Sequence, residues 1–545
     1  MPFSRLRRFT VIFVVFAGLF IAGLALLAWW DERRQPDRSF EPNRQTTALD
    51  RDGVPWQASS SDETDETDET DETDETDETD EIRTEAPADD AADGAAAGCE
   101  APEDGTLPAR WLMLGWDGAD WNFILPLLAD GKLPNLEKLM RGGSYGTLAS
   151  MVPTLSPAIW TTVATGTTPG AHGILHFYNQ DPILKRLWLR LTHFGDLPRR
   201  LYTNADRRRH AVWNLAQEHE RSVMVVGYHN TFPVEPVDGM MVSNYLVQDS
   251  VAKAMDMGSG AGDGDLASSL VYPLEDLTKV LDVQKQVQKR TPDIVQRFAD
   301  VPEAETTEFL RDSRRIDADG DQKPYFLVHA WLFDEIVAQV ADAFYASVEP
   351  DLAMVHFQGV DWASHRFLYY HAPELFDDMP WSARTRARLD AHKARYDGTV
   401  EAFYVYLDEW LGKLVARTSD ETGILLLSDH GFAAESKPNI SGGHDHAPPG
   451  IVVMKGPGIR RDHLLTEADI YDILPTLMAG LDLPVAEDLR GSVLEDAFCP
   501  AALAASPRRT VPTYDDGAPF VPEISRPSAL DAELLQQMKS LGYIQ

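Results

Sequence analysis

The stretch Gly423-Ile424-Leu425-Leu426-Leu427-Ser428-Asp429-His430-Gly431-Phe432 decides the fold. Its run of aliphatic residues without polar alternation describes a strand buried on both faces, and Gly431 marks where it stops. The same pattern recurs in WLMLGWDG (Trp111 to Gly118), SVMVVGY (Ser222 to Tyr228), DLAMVHFQ (Asp351 to Gln358) and GIVVMKG (Gly450 to Gly456). Amphipathic helical stretches lie between them, among them LPNLEKLMRGG (Leu133 to Gly143), which ends in glycine, and Ala391 to Ala416. Non-alternating strands separated by helices predict an α/β domain with a mostly parallel central sheet and helices on both faces. Periodicity weakens and charges accumulate over about 181–348, which reads as a cap region inserted beside that sheet.

This domain is expected over 108–500, behind two segments of different character. Within residues 1–30, Arg5, Arg7 and Arg8 precede Phe9 to Trp30, a run of 22 residues without a charge. A helix needs about 20 such residues to span the hydrocarbon layer. The arginines place the N-terminus in the cytoplasm and everything after Trp30 on the extracytoplasmic (periplasmic or extracellular) side. A cleaved signal peptide is the alternative, with an apolar region of about 7–15 residues and a small-residue cleavage site. Here the run ends in Trp29-Trp30, which suits an interfacial belt, so an uncleaved anchor is expected. Residues 31–107 read as an acidic linker. Its DET repeats, Asp62 to Glu81, contain no apolar residue and repel themselves into an extended spacer. Calcium binding is the other use for such carboxylates, but no turn glycines organise them. Residues 501–545 form a Pro-rich tail ending in a short amphipathic stretch, LDAELLQQMKSLGYI.

The formal charge is −38, and residues 62–104 hold 21 acids against one base, Arg83, so 20 of those charges sit in the linker. No basic footprint suited to nucleic acid is present, and binding to it is not expected. Eight basic residues between Lys185 and Arg209 stand out in so acidic a chain. They read as a solvated face or as an attractor for anionic substrate or lipid headgroups. The two cysteines, Cys99 and Cys499, flank the expected domain; in an oxidising compartment they could tie its ends together, and two unpaired thiols are the alternative.

Ligands of open α/β sheets bind outside the carboxyl ends of the strands. Acids and histidines gather at those places: Asp117 after the first strand, Asp361 and His365 after DLAMVHFQ, Asp429 and His430 after ILLL, and His444 and His446 before GIVVMKG. The spacing of Asp361 and His365 puts both on one helical face. Each alone is weak evidence, since an Asp at a strand end is more often a turn or cap residue than a ligand. Their joint occurrence after buried strands points to a site for borderline metals such as Zn²⁺. MVPTLSPAIWTTVATG adds hydroxyls at Thr154 and Ser156 ahead of a helix expected from about Pro157, where amides and the dipole favour an anion.

From GWDGADW through PTLSPAIWTTVATG with PGAHGI, GVDWASHRF, SDHGF and GGHDHAPPG, the chain resembles the alkaline phosphatase superfamily, in its type I phosphodiesterase/nucleotide pyrophosphatase branch. The resemblance extends from about Ala109 to Phe498. It implies an alkaline-phosphatase-like fold and a phosphoric ester hydrolase with two divalent metal ions, zinc in most relatives and manganese as the alternative. Asp117, Asp429 and His430 would hold one ion, together with the nucleophile. Asp361, His365 and a histidine of His444-Asp445-His446 would hold the other, with His446 preferred over His444 from its spacing to Gly450. The nucleophile falls on Ser156, implying in-line attack and a covalent phospho-serine. Many relatives use Thr there and follow it with an Asn that steadies phosphate oxygens; Pro157-Ala158-Ile159 offers none, leaving that task to the metals and backbone amides. The expected substrate is a small-molecule or lipid-headgroup phosphate ester. Readings on the same fold are a phosphoethanolamine or phosphoglycerol transferase and a phosphonate hydrolase; from another class, a non-catalytic surface binding protein. A sulfatase is disfavoured because Ser156 is not followed by x-Pro-x-Arg.

Overall fold

The computed structural model of the chain describes residues 42–43, 45, 47–55, 98–99, 106–179, 200–246, 269–311, 323–437, 440–444, 446–515 and 520. A nine-stranded sheet runs through the described residues. In chain order its strands are β1 (Arg110–Trp116), β2 (Ser144–Leu148), β3 (Val223–Val226), β4 (Gly239–Val242), β5 (Val271–Tyr272), β6 (Leu352–Phe357), β7 (Thr422–Leu427), β8 (Gly450–Lys455) and β9 (His463–Leu465). Across the sheet the order is β9-β2-β8-β7-β1-β6-β3-β4-β5. The central five, β7, β1, β6, β3 and β4, are mutually parallel, whereas β8 and β5 pair antiparallel with their neighbours. The expected mostly parallel sheet is therefore present.

The non-alternating strands supply two cores at once, because successive side chains point to opposite faces. Leu112, Leu114, Val355, Ile424 and Leu426 belong to one apolar cluster, and Trp111, Met113, Met354, Leu425 and Leu427 to the other. The first face is covered by α1 (Trp121–Ala129), α2 (Pro134–Arg141), α4 (Leu277–Ile294), α5 (Lys323–Val348), α6 (Gly359–His371) and α7 (Thr399–Val415). The second is covered by α3 (Ser156–Thr165) and α8 (Ile473–Gly480), through Ile159, Trp160, Val163, Leu474 and Leu477.

One boundary differs from the sequence reading. The described part of 181–348, expected as a cap, contributes β3, β4 and β5 to the central sheet and packs α4 and α5 on its first face. SVMVVGY marks β3 in the sequence, but β4 and β5, of four and two residues, leave too short a run to register as buried strands, and α4 is largely polar along its length. Cys99 and Cys499 are joined in a disulfide with Cα atoms 5.7 Å apart, closing a loop over a separation of 400 residues. The apolar run Phe9 to Trp30, the DET repeats and the amphipathic end of the tail lie outside the described residues. Among the described residues, no helix is long and apolar enough to cross a membrane.

Candidate active site

The carboxyl ends of β1, β3, β6 and β7 open on one edge of the sheet, and the start of antiparallel β8 joins them there. Asp117 follows β1 directly. Gly118 after it has φ +74° and leaves no room for a side chain, since a Cβ would meet Phe432 at 2.5 Å and the Asp361 backbone at 3.1 Å. Its amide donates to Asp429 Oδ1 at 3.2 Å, so the loops after β1 and β7 are laced together. Asp120 adds a second lace: its carboxylate accepts from Asn122 N at 2.8 Å and from Phe432 N at 3.0 Å. Burial raises that carboxyl to about 6, against the hydrogen bonds that favour its charge.

Helix α6 carries Asp361 and His365 on one face, with His365 Nε2 3.4 Å from Asp361 Oδ1. Its start is fixed by buried Asp334 on α5, which accepts from Gln358 N at 2.8 Å and Gly359 N at 3.0 Å. A side chain at Gly359 would collide with Asp334 Oδ2 at 2.2 Å, so glycine permits this approach. Ser156 occupies the first turn of α3 and is 1% exposed. Its Oγ lies 3.3 Å from His430 Nε2 and 3.5 Å from Asp117 Oδ1. Pro157 has no N–H, and the amides of Ala158 and Ile159 already donate to the Leu155 carbonyl. The helix start therefore offers an anion fewer amides than the sequence suggested.

Among the described residues, ligand atoms converge in three groups, within each of which they lie no more than 4.8 Å apart: Asp117, Asp429 and His430; Asp361, His430 and His444; and Asp117, His229 and His356. His430 Nδ1 faces the Gly431 carbonyl at 3.0 Å and His365 Nδ1 the Gly442 carbonyl at 2.9 Å. In each case Nδ1–H donates to the carbonyl, leaving the Nε2 lone pair for the site. Asp429 Oδ2 and His444 Nδ1 are buried and make no hydrogen bond.

The electrostatics match a site built around cations. Burial and the nearby charges of Asp117 and Asp361 push the Asp429 carboxyl well above its usual range. Burial also raises Asp117, but the hydrogen bonds and charges of His229, His356 and His430 outweigh it and hold this carboxyl low. Burial drives His365 and His356 each down to about 4 and lowers His430 and His444 as well. Crowded buried carboxylates beside neutral imidazoles form a donor set that a divalent ion satisfies and that a proton satisfies poorly.

Residues 111–476 match the family model described as type I phosphodiesterase / nucleotide pyrophosphatase. The chain belongs to that family. This family is metal-dependent, and its members, this phosphodiesterase-family chain included, are hydrolases of phosphoric ester bonds. No curated protein matches the chain. Similar solved structures include murine ectonucleotide pyrophosphatase / phosphodiesterase 5, an inactive form in complex with AMP. That pair shares 12% identity over 71% of this chain and 99% of the other, with a TM-score of 0.39. A phosphonate monoester hydrolase from Silicibacter pomeroyi shares 13% identity over 72% of this chain and 76% of that one, at 0.38. A 2-O GAG sulfatase shares 11% identity over 72% of this chain and 74% of that one, at 0.38.

Of the residues singled out from the sequence, Asp117, Ser156, Asp361, His365, Asp429, His430 and His444 come together at this edge of the phosphodiesterase-family fold. His446, preferred from spacing, is exposed, whereas the His444 ring lies 4.5 Å from that of His430 and 5.2 Å from that of His365. A two-residue difference in a polar loop has no periodicity to decide it; the inward turn of the backbone does. Sequence reasoning missed His229, His356, Trp160 and Gln358 around Asp117. His229 stands just past the end of β3, so the strand-end rule could have flagged it. His356 lies inside β6, where a buried histidine leaves no such mark.

Proposed function

We propose that this chain is a phosphodiesterase of the nucleotide pyrophosphatase type in which Ser156 is the nucleophile and forms a covalent phospho-serine. The observation that carries the reading is the seating of a buried serine hydroxyl in the first turn of α3, 3.3 Å from His430 Nε2 and 3.5 Å from Asp117 Oδ1. Asp117, Asp429 and His430, with Ser156, would hold one divalent ion, and Asp361, His365 and His444 a second. Zinc suits the mixture of imidazole and carboxylate, with manganese as the alternative. Bound ions of this kind supply positive charge for a developing alkoxide and for phosphate oxygens.

The chain's own residues do the remaining work. Helix α3 fixes the Ser156 backbone so that its hydroxyl meets substrate at one angle. The His430 and His365 tautomers, set by the Gly431 and Gly442 carbonyls, keep Nε2 facing inward. Trp160 Nε1 donates to Asp117 Oδ2 at 3.0 Å and keeps Oδ1 turned to the serine. The substrate is proposed to be a small-molecule or lipid-headgroup phosphate ester. The catalytic domain is proposed to stand on the extracytoplasmic side, held by Phe9 to Trp30; the Cys99–Cys499 disulfide supports an oxidising compartment.

The test is a panel of bis-p-nitrophenyl phosphate, p-nitrophenyl phosphate, p-nitrophenyl phenylphosphonate and p-nitrophenyl sulfate, with added Zn²⁺ or Mn²⁺. The diester should be turned over fastest, with Ser156→Ala inactive. Activity on none of them, or an unchanged rate in the variant, would defeat the proposal.

A further inference from the structure

Asp117 presents its two oxygens to different surroundings. Oδ1 faces Ser156 and His430, whereas Oδ2 faces away from the serine, towards His229, His356 and Trp160. His229 Nε2 lies 3.3 Å from Oδ2 and His356 Nε2 lies 3.4 Å from it. Ligands of a tetrahedral zinc ion about 2.0–2.1 Å from the metal stand roughly 3.3–3.4 Å from one another. Both separations therefore match edges of such a tetrahedron.

His356 gives the second observation. It is wholly buried, and its ring nitrogens are poorly met, with Nε2 no nearer than 3.4 Å to Asp117 Oδ2. Leaving a buried polar atom unmet costs about 1–3 kcal/mol, so a role as ligand would account for its presence inside β6. Room for the ring is deliberate: a Cβ on Gly115 would strike His356 at 2.7 Å and Trp160 at 2.8 Å. Trp160 N–H donates to Oδ2 at 3.0 Å, and both imidazoles approach the same oxygen. Gln358, 5% exposed, places its amide nitrogen 3.3 Å from His229 Nε2. A half-turn of that amide puts its oxygen in the same place, again at an edge length.

We propose that Asp117 Oδ2, His229 Nε2, His356 Nε2 and the Gln358 side-chain oxygen form a further site for a divalent transition-metal ion, separate from the clusters around Asp429 and Asp361. Two imidazoles beside one carboxylate select Zn²⁺ or Co²⁺ over Mg²⁺ or Ca²⁺. The site shares Asp117 with the cluster read above as metal-binding, so that Asp117 bridges two ions. An ion there would fix the orientation of Asp117 and draw charge from it.

The experiment is metal content by mass spectrometry of full-length protein loaded with Zn²⁺ and dialysed, alongside the visible spectrum of Co²⁺-loaded protein. His229→Asn and His356→Gln should each hold one ion fewer than wild type and lose part of the tetrahedral Co²⁺ absorption, with circular dichroism unchanged. Asp429→Ala should lose an ion of its own cluster and keep this one. Equal metal content in wild type and a folded His229→Asn variant would overturn the proposal, whatever becomes of His356→Gln, and would leave both histidines as hydrogen-bonding neighbours of Asp117. Unchanged content in Asp429→Ala, with loss in His229→Asn, would instead count against the reading of the Asp429 cluster and leave this site standing.

Discussion

His172, in the turn that follows α3, should make the stability of this protein fall steeply in mild acid. The ring is wholly buried, with Nδ1 accepting from Ile174 N at 3.2 Å and Nε2 facing Thr162 Oγ1 at 3.1 Å. Burial, with the charges of Arg207 and Arg209 added, brings its pKa down to about 3, against a hydrogen bond to the Ala158 carbonyl that favours the charged form. In the unfolded chain the ring takes up a proton below about 6.5. Between those values the unfolded state binds more protons, so the stabilisation is present above pH 6.5 and eroded as pH falls towards 3. The linkage relation gives a loss of about 2 kcal/mol at pH 5 and about 3 kcal/mol at pH 4. His172→Gln keeps a donor and an acceptor but cannot titrate. Urea midpoints followed by tryptophan fluorescence at pH 7.5, 6, 5 and 4.5 would give both curves, and their difference removes the contributions of the other histidines. The wild type should lose about 2 kcal/mol more than the variant between pH 7.5 and 5. Curves that stay parallel within about 0.5 kcal/mol would refute the assignment of a neutral, buried His172.

Three further outcomes are expected. Gly118→Ala, at φ +74° with Phe432 2.5 Å from the new Cβ, should cost about 1–3 kcal/mol. It should also lower kcat/KM by at least about tenfold, because Asp117 and Asp361 flank the strained turn; thermal melts and diester kinetics check both. Cys99→Ser, which opens the loop of 400 residues, should cost about 2–5 kcal/mol, and a wild-type urea midpoint would contradict it. Arg207→Met leaves Glu235, now ion-paired with the Arg207 guanidinium at 2.6 Å and 4% exposed, as an uncompensated buried charge. That should destabilise by about 3–5 kcal/mol, while Arg207→Met combined with Glu235→Leu recovers much of the loss in the same melt.

Much of the catalytic edge was legible because its chemistry is tied to a local pattern. An oily run such as Ile424 to Leu427, short and bounded by Gly423 and Gly431, reads as a strand covered on both faces, and the polar residues straight after it emerge at the sheet's carboxyl edge. That logic brought Asp117, Asp361 and Asp429 together without coordinates, and the i, i+4 rule added His365. It could not resolve what depends on the path of a loop or on contacts across the sheet. Spacing favoured His446, but the backbone turns His444 inward, 4.5 Å from the ring of His430. The short strands β4 and β5 gained their place in the sheet from neighbours, having too few residues to declare themselves, whereas β3 was legible in SVMVVGY. His356 was silent because a histidine within a strand looks like any buried position until its partner strand is known. The register of β6 on β1, which sets His356 opposite Gly115, is what brings its ring to Asp117. Sequence by itself determined which residues end the strands, since side-chain burial is a local, periodic property; tertiary structure decided which of them share an ion-sized space, since that depends on strand order and loop paths.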